Sequence, residues 1–297
     1  MEADRTPLAS SIAAIKSTSL TKGGFAAARG GDFRPDATAW AVMALRACGD
    51  DSELIRRAQQ RLAEWQGRDG RVAMSKNQPG AFWPTPLAML AWVGEPESKE
   101  ALERAAAFML ATSGERLSLP RAIFKHDGSL KGWSWNEGTH SWVVPSSLGL
   151  LALKAYGHAG HERPLEAVRL LIDRQLPSGG WNYGNTVVFG TELLPIPECT
   201  GHALNALAGY VEYQHVATSI EYLKQEVARL RSPLSLVWAI LGLGAWSLRP
   251  PDFRQRLLEC IALQKHHGLY GTDLLAQVLV GYCASGGLLS IFDNNRN

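Results

Sequence analysis

Gln175-Leu176-Pro177-Ser178-Gly179-Gly180-Trp181 is the stretch of sequence that decides the fold. A helical pattern ends just before it, and another apolar helical pattern begins near Cys199. Glycine supplies the positive backbone angles that a helix exit needs, and Pro177 prevents the helix from continuing. Trp181 is a large apolar side chain with a single N–H donor. The stretch therefore predicts a tight helix exit followed by an aromatic plug.

The same pattern recurs along the chain. Gln66 to Val72 and Gln264 to Tyr270 each have glycine four residues after the glutamine and an apolar or aromatic residue two positions further on. Weaker copies occur at residues 22–25 and 126–129. Such self-similarity is typical of repeat architectures. The pattern Gln-x-x-(Asp/Ser)-Gly-x-Trp resembles the repeat of squalene-hopene cyclases, oxidosqualene cyclases and the β-subunits of protein prenyltransferases. The resemblance covers most of the chain.

Two kinds of helical segment alternate between the repeats. One kind is small and apolar on most sides, which is typical of a helix buried all round. These segments are 36–48, 85–93, 145–156, 199–210, 233–246 and 272–284. The other kind is amphipathic and charged, at 8–17, 52–65, 98–111, 163–174, 216–230 and 251–263. The alternation predicts about six helical hairpins, and the resemblance implies that they close into an all-α, α/α toroid. We expect a single domain over residues 1–297.

Composition narrows the classes of partner. The formal net charge of the 297 residues is +2, and no basic tail or stripe is present, so we expect no nucleic acid partner. The four cysteines are far apart and form no Cys-x-x-Cys pair, which favours free thiols in a reducing compartment. Residues 1–18 lack the apolar core of a signal peptide, so a cytoplasmic location is expected. Attachment to a membrane surface stays open.

In a toroid, the starts of the inner helices and the loops before them surround one mouth of a central cavity. Pro35-Asp36-Ala37-Thr38-Ala39-Trp40 aligns with Pro197-Glu198-Cys199-Thr200-Gly201-His202. Proline and an acidic residue suit the first turn of any helix, which is a sufficient structural explanation for both. The functional interpretation is that Asp36, Trp40, Glu198 and His202 face the cavity.

A tryptophan-rich loop runs from residue 132 to residue 142. It holds Trp133, Trp135 and Trp142, with Glu137 and His140 between them. The ring faces could stabilise a carbocation, and the Glu or His could transfer protons. Alternatively, these tryptophans only fill gaps between helices. We expect Glu198, His202, His140 and at least one of the three tryptophans to border one pocket, and Trp181 to pack outside it.

Two short motifs resemble the acid motifs of the cyclase families. Glu198-Cys199-Thr200 is similar to their Asp-Cys-Thr-Ala, with Glu in place of Asp. Asp36-Ala37-Thr38-Ala39 is similar to the end of Asp-x-Asp-Asp-Thr-Ala, without the leading pair. In those families the motif's Asp protonates an alkene or epoxide. That chemistry needs a carboxylic acid that stays protonated in an apolar pocket.

The candidate residues fall into two groups. The catalytic candidates are Glu198, His202, His140, Glu137 and Asp36, and the substrate-binding candidates are Trp40, Trp83, Trp133, Trp135, Trp142 and Cys199. Glu198 and His202 share a helical face, so a metal site with His140 is an alternative. The zinc motif of prenyltransferases is absent, and we predict neither a metal nor a cofactor.

The leading hypothesis is an enzyme similar to terpene cyclases or prenyltransferases, acting on an apolar isoprenoid by acid-initiated carbocation chemistry. Squalene-hopene-type cyclases carry two toroids, so one toroid needs a smaller substrate, a homodimer or a partner subunit. A non-catalytic toroid that binds a lipid or peptide is the main alternative. A sugar-processing toroid is a third, with Glu137 and either Glu198 or Asp36 as its paired carboxylates.

Overall fold

The computed structural model describes residues 5–50, 52–118, 120 and 123–295. Over these residues the chain forms thirteen α-helices, and the all-α class is confirmed. The inner helices are α2 Pro35–Ala47, α4 Thr85–Trp92, α6 Val143–Ala155, α8 Pro197–Leu207, α10 Pro233–Gly244 and α13 Thr272–Cys283. The outer helices are α1 Arg5–Lys16, α3 Glu53–Trp65, α5 Lys99–Ala111, α7 Glu162–Asp173, α9 Tyr213–Val227 and α11 Phe253–Ala262.

The smaller elements are few. The one-turn helix α12 is Gln264–His267, and two 3₁₀ segments span Pro96–Ser98 and Leu288–Asn295. The strands β1 Val187–Val188 and β2 Thr191–Glu192 form a short antiparallel hairpin. No helix in the described part of the chain has the length and apolar character that crossing a membrane requires.

The inner helices form a closed ring. Each packs on the next in chain order, from α2 through α4, α6, α8 and α10 to α13, and α13 packs back against α2. The Thr272 hydroxyl at the start of α13 also donates a hydrogen bond to the Ala26 carbonyl at 2.7 Å, which ties the last inner helix to the segment before the first. The predicted α/α toroid is therefore confirmed.

Burial separates the two rings as the hydrophobic pattern predicted. In α2 every residue from Pro35 to Leu45 is buried, whereas α3 buries only Ile55, Ala58, Gln59 and Leu62. The outer helices shield the inner ring from water and present their charged sides to solvent. Because the two kinds alternate along the chain, inner helices all run in one direction and outer helices run in the other. All inner helices therefore begin at the same face of the ring.

A hydroxyl clamp closes four of the turns that lead into inner helices, those before α2, α4, α6 and α8. The Trp181 N–H donates to the Thr200 hydroxyl at 2.9 Å, and that hydroxyl lies 3.2 Å from the Trp181 carbonyl. The same pair of bonds joins Phe25 to Thr38, Val72 to Thr85 and Trp133 to Ser146. Each clamp satisfies backbone groups that would otherwise be buried without partners.

The two clamped tryptophans are anchored to outer helices through their indole N–H groups. Trp181 is completely buried, and its indole N–H donates to the Leu171 carbonyl of α7 at 2.6 Å. Trp133 bonds the Met109 carbonyl of α5 in the same way, at 2.9 Å. Trp181 does not line the central cavity described below. Its expected position, packed between helices, is therefore what the structure shows.

Two of the three repeat glutamines connect successive outer helices, whereas the Gln264 side chain bonds to nearby residues of its own repeat. The Gln66 side-chain amide donates to the Ala101 carbonyl of α5 at 2.9 Å, and the Gln175 amide donates to the Ser219 hydroxyl of α9 at 2.7 Å. The outer ring is therefore held by specific side-chain bonds as well as by packing.

Candidate active site in the ring cavity

A cavity of about 320 Å³ lies inside the ring where the inner helices begin. Its lining is regular, because each inner helix or the turn just before it contributes two residues four positions apart. Residues four apart lie above one another on a helix. The upper tier is Asp36, Trp83, Val144, Glu198, Leu234 and Asp273, and the lower tier is Trp40, Leu87, Leu148, His202, Trp238 and Gln277. Trp135 from the tryptophan-rich loop completes the wall.

Asp36 and Asp273 lie on the neighbouring helices α2 and α13. The Asp36 carboxylate accepts two hydrogen bonds from the Arg34 guanidinium, at 2.9 and 2.7 Å. A two-point contact with arginine stabilises the charged carboxylate. Burial raises the pKa of Asp273, and the nearby Asp36 charge raises it further. Both Asp36 carboxylate oxygens are therefore engaged by Arg34, which leaves this side chain poorly placed to donate a proton into the cavity.

Glu198 lies on α8, which faces α2 across the ring. Burial alone raises the pKa of its carboxyl group. No ion pair involves Glu198 among the described residues, in contrast to Asp36. A half-buried carboxyl group without a cationic partner holds its proton to a higher pH than an exposed one. Glu198 is therefore suited to donate a proton into the cavity.

His202 lies one turn below Glu198 and is neutral. Its Nδ1 is 3.0 Å from the Glu198 backbone carbonyl, and burial lowers its pKa to about 3. Because a carbonyl only accepts hydrogen bonds, Nδ1 carries the proton, and the lone pair is left on Nε2. The ring stacks on Trp238 with centroids 3.4 Å apart. His202 thus presents a neutral base to the same cavity.

Four tryptophan rings line the cavity, together with four aliphatic side chains. Trp40 meets Trp238 edge-on with ring centroids 6.0 Å apart, and Trp83 meets Trp135 in the same way at 5.6 Å. The Trp238 indole N–H donates to the Gln277 side chain at 2.8 Å, so its polar group is satisfied. The π faces of these rings can stabilise positive charge in an otherwise apolar space.

His140 and Trp142 lie outside the cavity lining. Their rings contact each other at a tilt of 32° with centroids 4.3 Å apart, and both line a separate pocket of about 240 Å³ together with His126 and Arg174. Burial and the Arg174 charge lower the pKa of His140. The expected pocket shared by His140 and Glu198 therefore does not form, because the loop turns His140 toward α7.

Three further candidates also lie elsewhere. Glu137 is exposed, and its carboxylate pairs with Arg71 at 2.8 Å, so it does not face Glu198 or Asp36 as a second cavity carboxylate. Trp133 is a buried plug anchored to α5. Cys199 is buried beside Glu198 but points about 100° away from that residue on a helix, outside the lining. Its pKa is raised by burial and by the Glu198 charge.

The candidates chosen from the sequence omit seven of the thirteen lining residues. Four of the seven are aliphatic, and the other three are Trp238, Gln277 and Asp273. A signal for them exists in the repeat. Trp40, His202 and Trp238 each lie five residues after the proline that begins their helix. Asp273 and Gln277 occupy the matching positions of α13, counted from Thr272. Among the described residues, no group of three His, Cys, Asp or Glu side chains is arranged to hold a metal ion.

Comparison of the whole chain with solved structures identifies the fold. The chain aligns with a variant of type II terpene cyclase MstE from Scytonema in complex with geranylgeranyl dihydroxybenzoate, its substrate. The TM-score is 0.61 and the identity 11%, over 98% of this chain and 99% of that one. Another MstE variant, in complex with the product merosterolic acid A, aligns with a TM-score of 0.58 at 13% identity, over 95% and 99%.

A third match shows that the fold is shared more widely. Haptocorrin in complex with Cbi aligns with a TM-score of 0.53 at 14% identity, over 97% of this chain and 67% of that one. No protein-family model matches the sequence. No curated protein matches it either. The resemblance to terpenoid cyclases is therefore confirmed for the fold.

Proposed function

We propose that this chain, which has the fold of type II terpene cyclases, is an enzyme. It would cyclise an apolar isoprenoid in the ring cavity by acid-initiated carbocation chemistry. One observation carries the proposal. A carboxyl group with a raised pKa and a neutral histidine face the same tryptophan-walled space, on one side of α8. Acid, base and cation-stabilising rings are the groups that such a reaction needs.

In this mechanism Glu198 donates its proton to a carbon–carbon double bond of the substrate. The cation that forms is attacked by further double bonds of the same chain, and rings close. Trp40, Trp83, Trp135 and Trp238 present π electrons to the moving positive charge. Nε2 of His202 accepts a proton from carbon at the end, so the product is an isomer of the substrate. A weak base suffices there, because a carbocation is a very strong acid.

The size of the cavity favours a short substrate. Its volume of about 320 Å³ is near the lower end of the range of about 300–1,000 Å³ for small-molecule sites. A single short isoprenoid chain with few polar atoms fits both this volume and the lower tier, in which four of the six side chains are Trp or Leu. We therefore favour geranyl or farnesyl compounds over geranylgeranyl ones.

The test is incubation of the purified protein with geranyl, farnesyl and geranylgeranyl alcohols and their aromatic ethers. We expect a cyclic product of unchanged mass from one of the shorter compounds, measured by gas chromatography with mass detection. Native mass spectrometry then separates the two functions that the fold permits. A compound that binds and is recovered unchanged indicates a binding protein. If no compound binds and no product forms, the proposal is wrong.

Four exposed apolar side chains lie on the face where the cavity opens. Tyr183, Phe189, Leu194 and Leu269, here called the apolar rim, are 47%, 78%, 83% and 91% exposed. All four belong to the segments that lead into the inner helices α8 and α13. Large apolar side chains this exposed are suited to contact an apolar surface. We propose that the apolar rim contacts a lipid surface, from which an isoprenoid enters the cavity.

Vesicle binding tests the role of the apolar rim. We expect the protein to sediment with neutral phosphatidylcholine vesicles, and Phe189→Asp and Leu194→Asp to weaken that binding about tenfold each, the effect of one lost buried side chain. Leu165→Asp is the matched control, because Leu165 is also exposed but lies at the start of α7, on the opposite face. Equal binding by all three variants would mean that the apolar rim does not contact lipid.

A further inference from the structure

Two cysteines that are distant in sequence meet at the point where the ring closes. Cys48 directly follows α2, and Cys283 is the last residue of α13. Their Sγ atoms are 3.1 Å apart, and both residues are half-buried. A disulfide bond is about 2.05 Å long, so the two atoms need to approach by only about 1 Å. Both sulfurs belong to helix ends rather than to long loops.

The surroundings make the two thiols chemically unequal. The hydrogen bond from Cys48, helped by the nearby Arg254 charge, lowers the pKa of Cys283. The same contact with Cys283, together with burial, raises the pKa of Cys48. The thiolate is the reactive form of cysteine. Cys283 is therefore the thiol that reacts first, with Cys48 placed beside it to react second.

The other two cysteines lack this arrangement. Cys199 is buried in α8, and Cys260 is buried in α11, where its thiol contacts the Arg231 carbonyl at 3.8 Å. Neither lies in contact with another sulfur among the described residues. The pairing is thus specific to the junction of α2 and α13.

We propose that Cys48 and Cys283 form a reversible disulfide that covalently closes the ring of inner helices. The oxidant is a low-molecular-weight disulfide such as oxidised glutathione. The Cys283 thiolate attacks one of its sulfurs, which forms a mixed disulfide and releases one thiolate. Cys48 loses its proton and attacks the Cys283 sulfur, which releases the second thiolate. Two cysteine thiols are oxidised, and one disulfide is reduced to two thiols.

The bond would act on the whole ring. Cys48 and Cys283 are 235 residues apart, so a link between them encloses most of the chain. A cross-link restricts the unfolded chain more when the enclosed loop is longer. It would also fix the C-terminal ends of α2 and α13 against each other. The N-terminal ends of the same two helices carry Asp36 and Asp273. This inference does not depend on the reaction in the cavity.

The experiment compares the full-length protein after treatment with oxidised glutathione and after a phosphine reductant. We expect the oxidised protein to lose two hydrogens in intact mass and to yield one cross-linked peptide pair that joins residues 48 and 283. We also expect its melting temperature to rise by roughly 5–10 °C. The reductant should reverse both changes.

Single-cysteine variants complete the test. The melting temperatures of Cys48→Ser and Cys283→Ser should not rise on oxidation. The melting temperature of Cys260→Ser should rise as much as that of the wild type. Each variant is compared with its own reduced form, so a general loss of stability does not affect the result. Glutathione adducts without a cross-link, a cross-link between two molecules, or a cross-link without a rise in melting temperature would each overturn the proposal.

Discussion

Glu198→Gln is expected to lower turnover by about 10²–10⁴-fold, the usual contribution of a positioned general acid. The substitution removes the only proton that Glu198 can donate, at almost constant volume. Glu198 is half-buried and forms no ion pair among the described residues, so its loss leaves no charge uncompensated. We expect the melting temperature to stay near that of the wild type. Turnover is measured on the isoprenoid that the wild type converts.

Asp273→Asn is the matched control for this result. Asp273 is also a carboxyl group of the upper tier with a raised pKa, but the nearby Arg34 charge opposes that rise, and Asp273 does not share a helix with His202 as Glu198 does. We expect the Asp273→Asn variant to retain most of the wild-type turnover. Wild-type turnover by Glu198→Gln together with an inactive Asp273→Asn would transfer the role of acid to the α2–α13 side of the cavity.

The pH dependence gives a second readout of the same residue. A general acid acts only while it is protonated, so turnover should fall as the pH rises through the pKa of Glu198. Burial raises that pKa, so the fall should come at higher pH than for an exposed glutamate. The residual activity of Glu198→Gln should lack this fall.

Trp181→Ala is expected to lower the free energy of unfolding by about 3–5 kcal/mol, as truncations of large buried aromatic residues do. The side chain is completely buried, and its N–H bond to Leu171 is lost as well. The clamp between Trp181 and Thr200 uses backbone atoms of residue 181, so it survives the change. Urea denaturation of both proteins measures the difference.

Comparing Trp135→Ala with Trp181→Ala distinguishes a tryptophan that lines the cavity from one that packs between helices. Trp135 is half-buried and lines the open cavity, so its removal enlarges an existing space. We expect a clearly smaller loss of stability than for Trp181→Ala and a larger effect on product formation. If Trp181→Ala unfolds at the wild-type urea concentration, the structural role assigned to Trp181 is wrong.

Most of the fold could be predicted from the sequence because the signals are local. Helical periodicity, proline at helix starts and glycine at helix exits placed every major helix within a few residues of its observed ends. The resemblance of the repeat to that of the toroid families implied that the hairpins close into a ring. The contact between Cys48 and Cys283 could not be predicted, because it depends on two ends of the chain meeting after all the hairpins have formed.

The candidate site was predicted where it follows the repeat and missed where it depends on loops. Asp36, Trp40, Glu198 and His202 lie at repeated helix positions, and the structure brings them to one cavity. His140 lies in an insertion that packs on the β-hairpin, where Phe124 pairs with Val188. Such contacts between loops leave no periodic signal in the sequence. Residues 119, 121 and 122 of that insertion lie outside the described residues.

The two-tier lining separates the positions that could set chemistry from those that hold the ring together. Clamps, plugs and glutamine bridges use other residues, such as Thr200, Trp181 and Gln175. Substitutions in the tiers can therefore accumulate without disturbing the interlocking of the helices. The architecture is shared with a solved structure at 11% identity, and a fold does not by itself fix a function. For protein engineering, it defines a compact set of positions at which a library can be built on an unchanged scaffold.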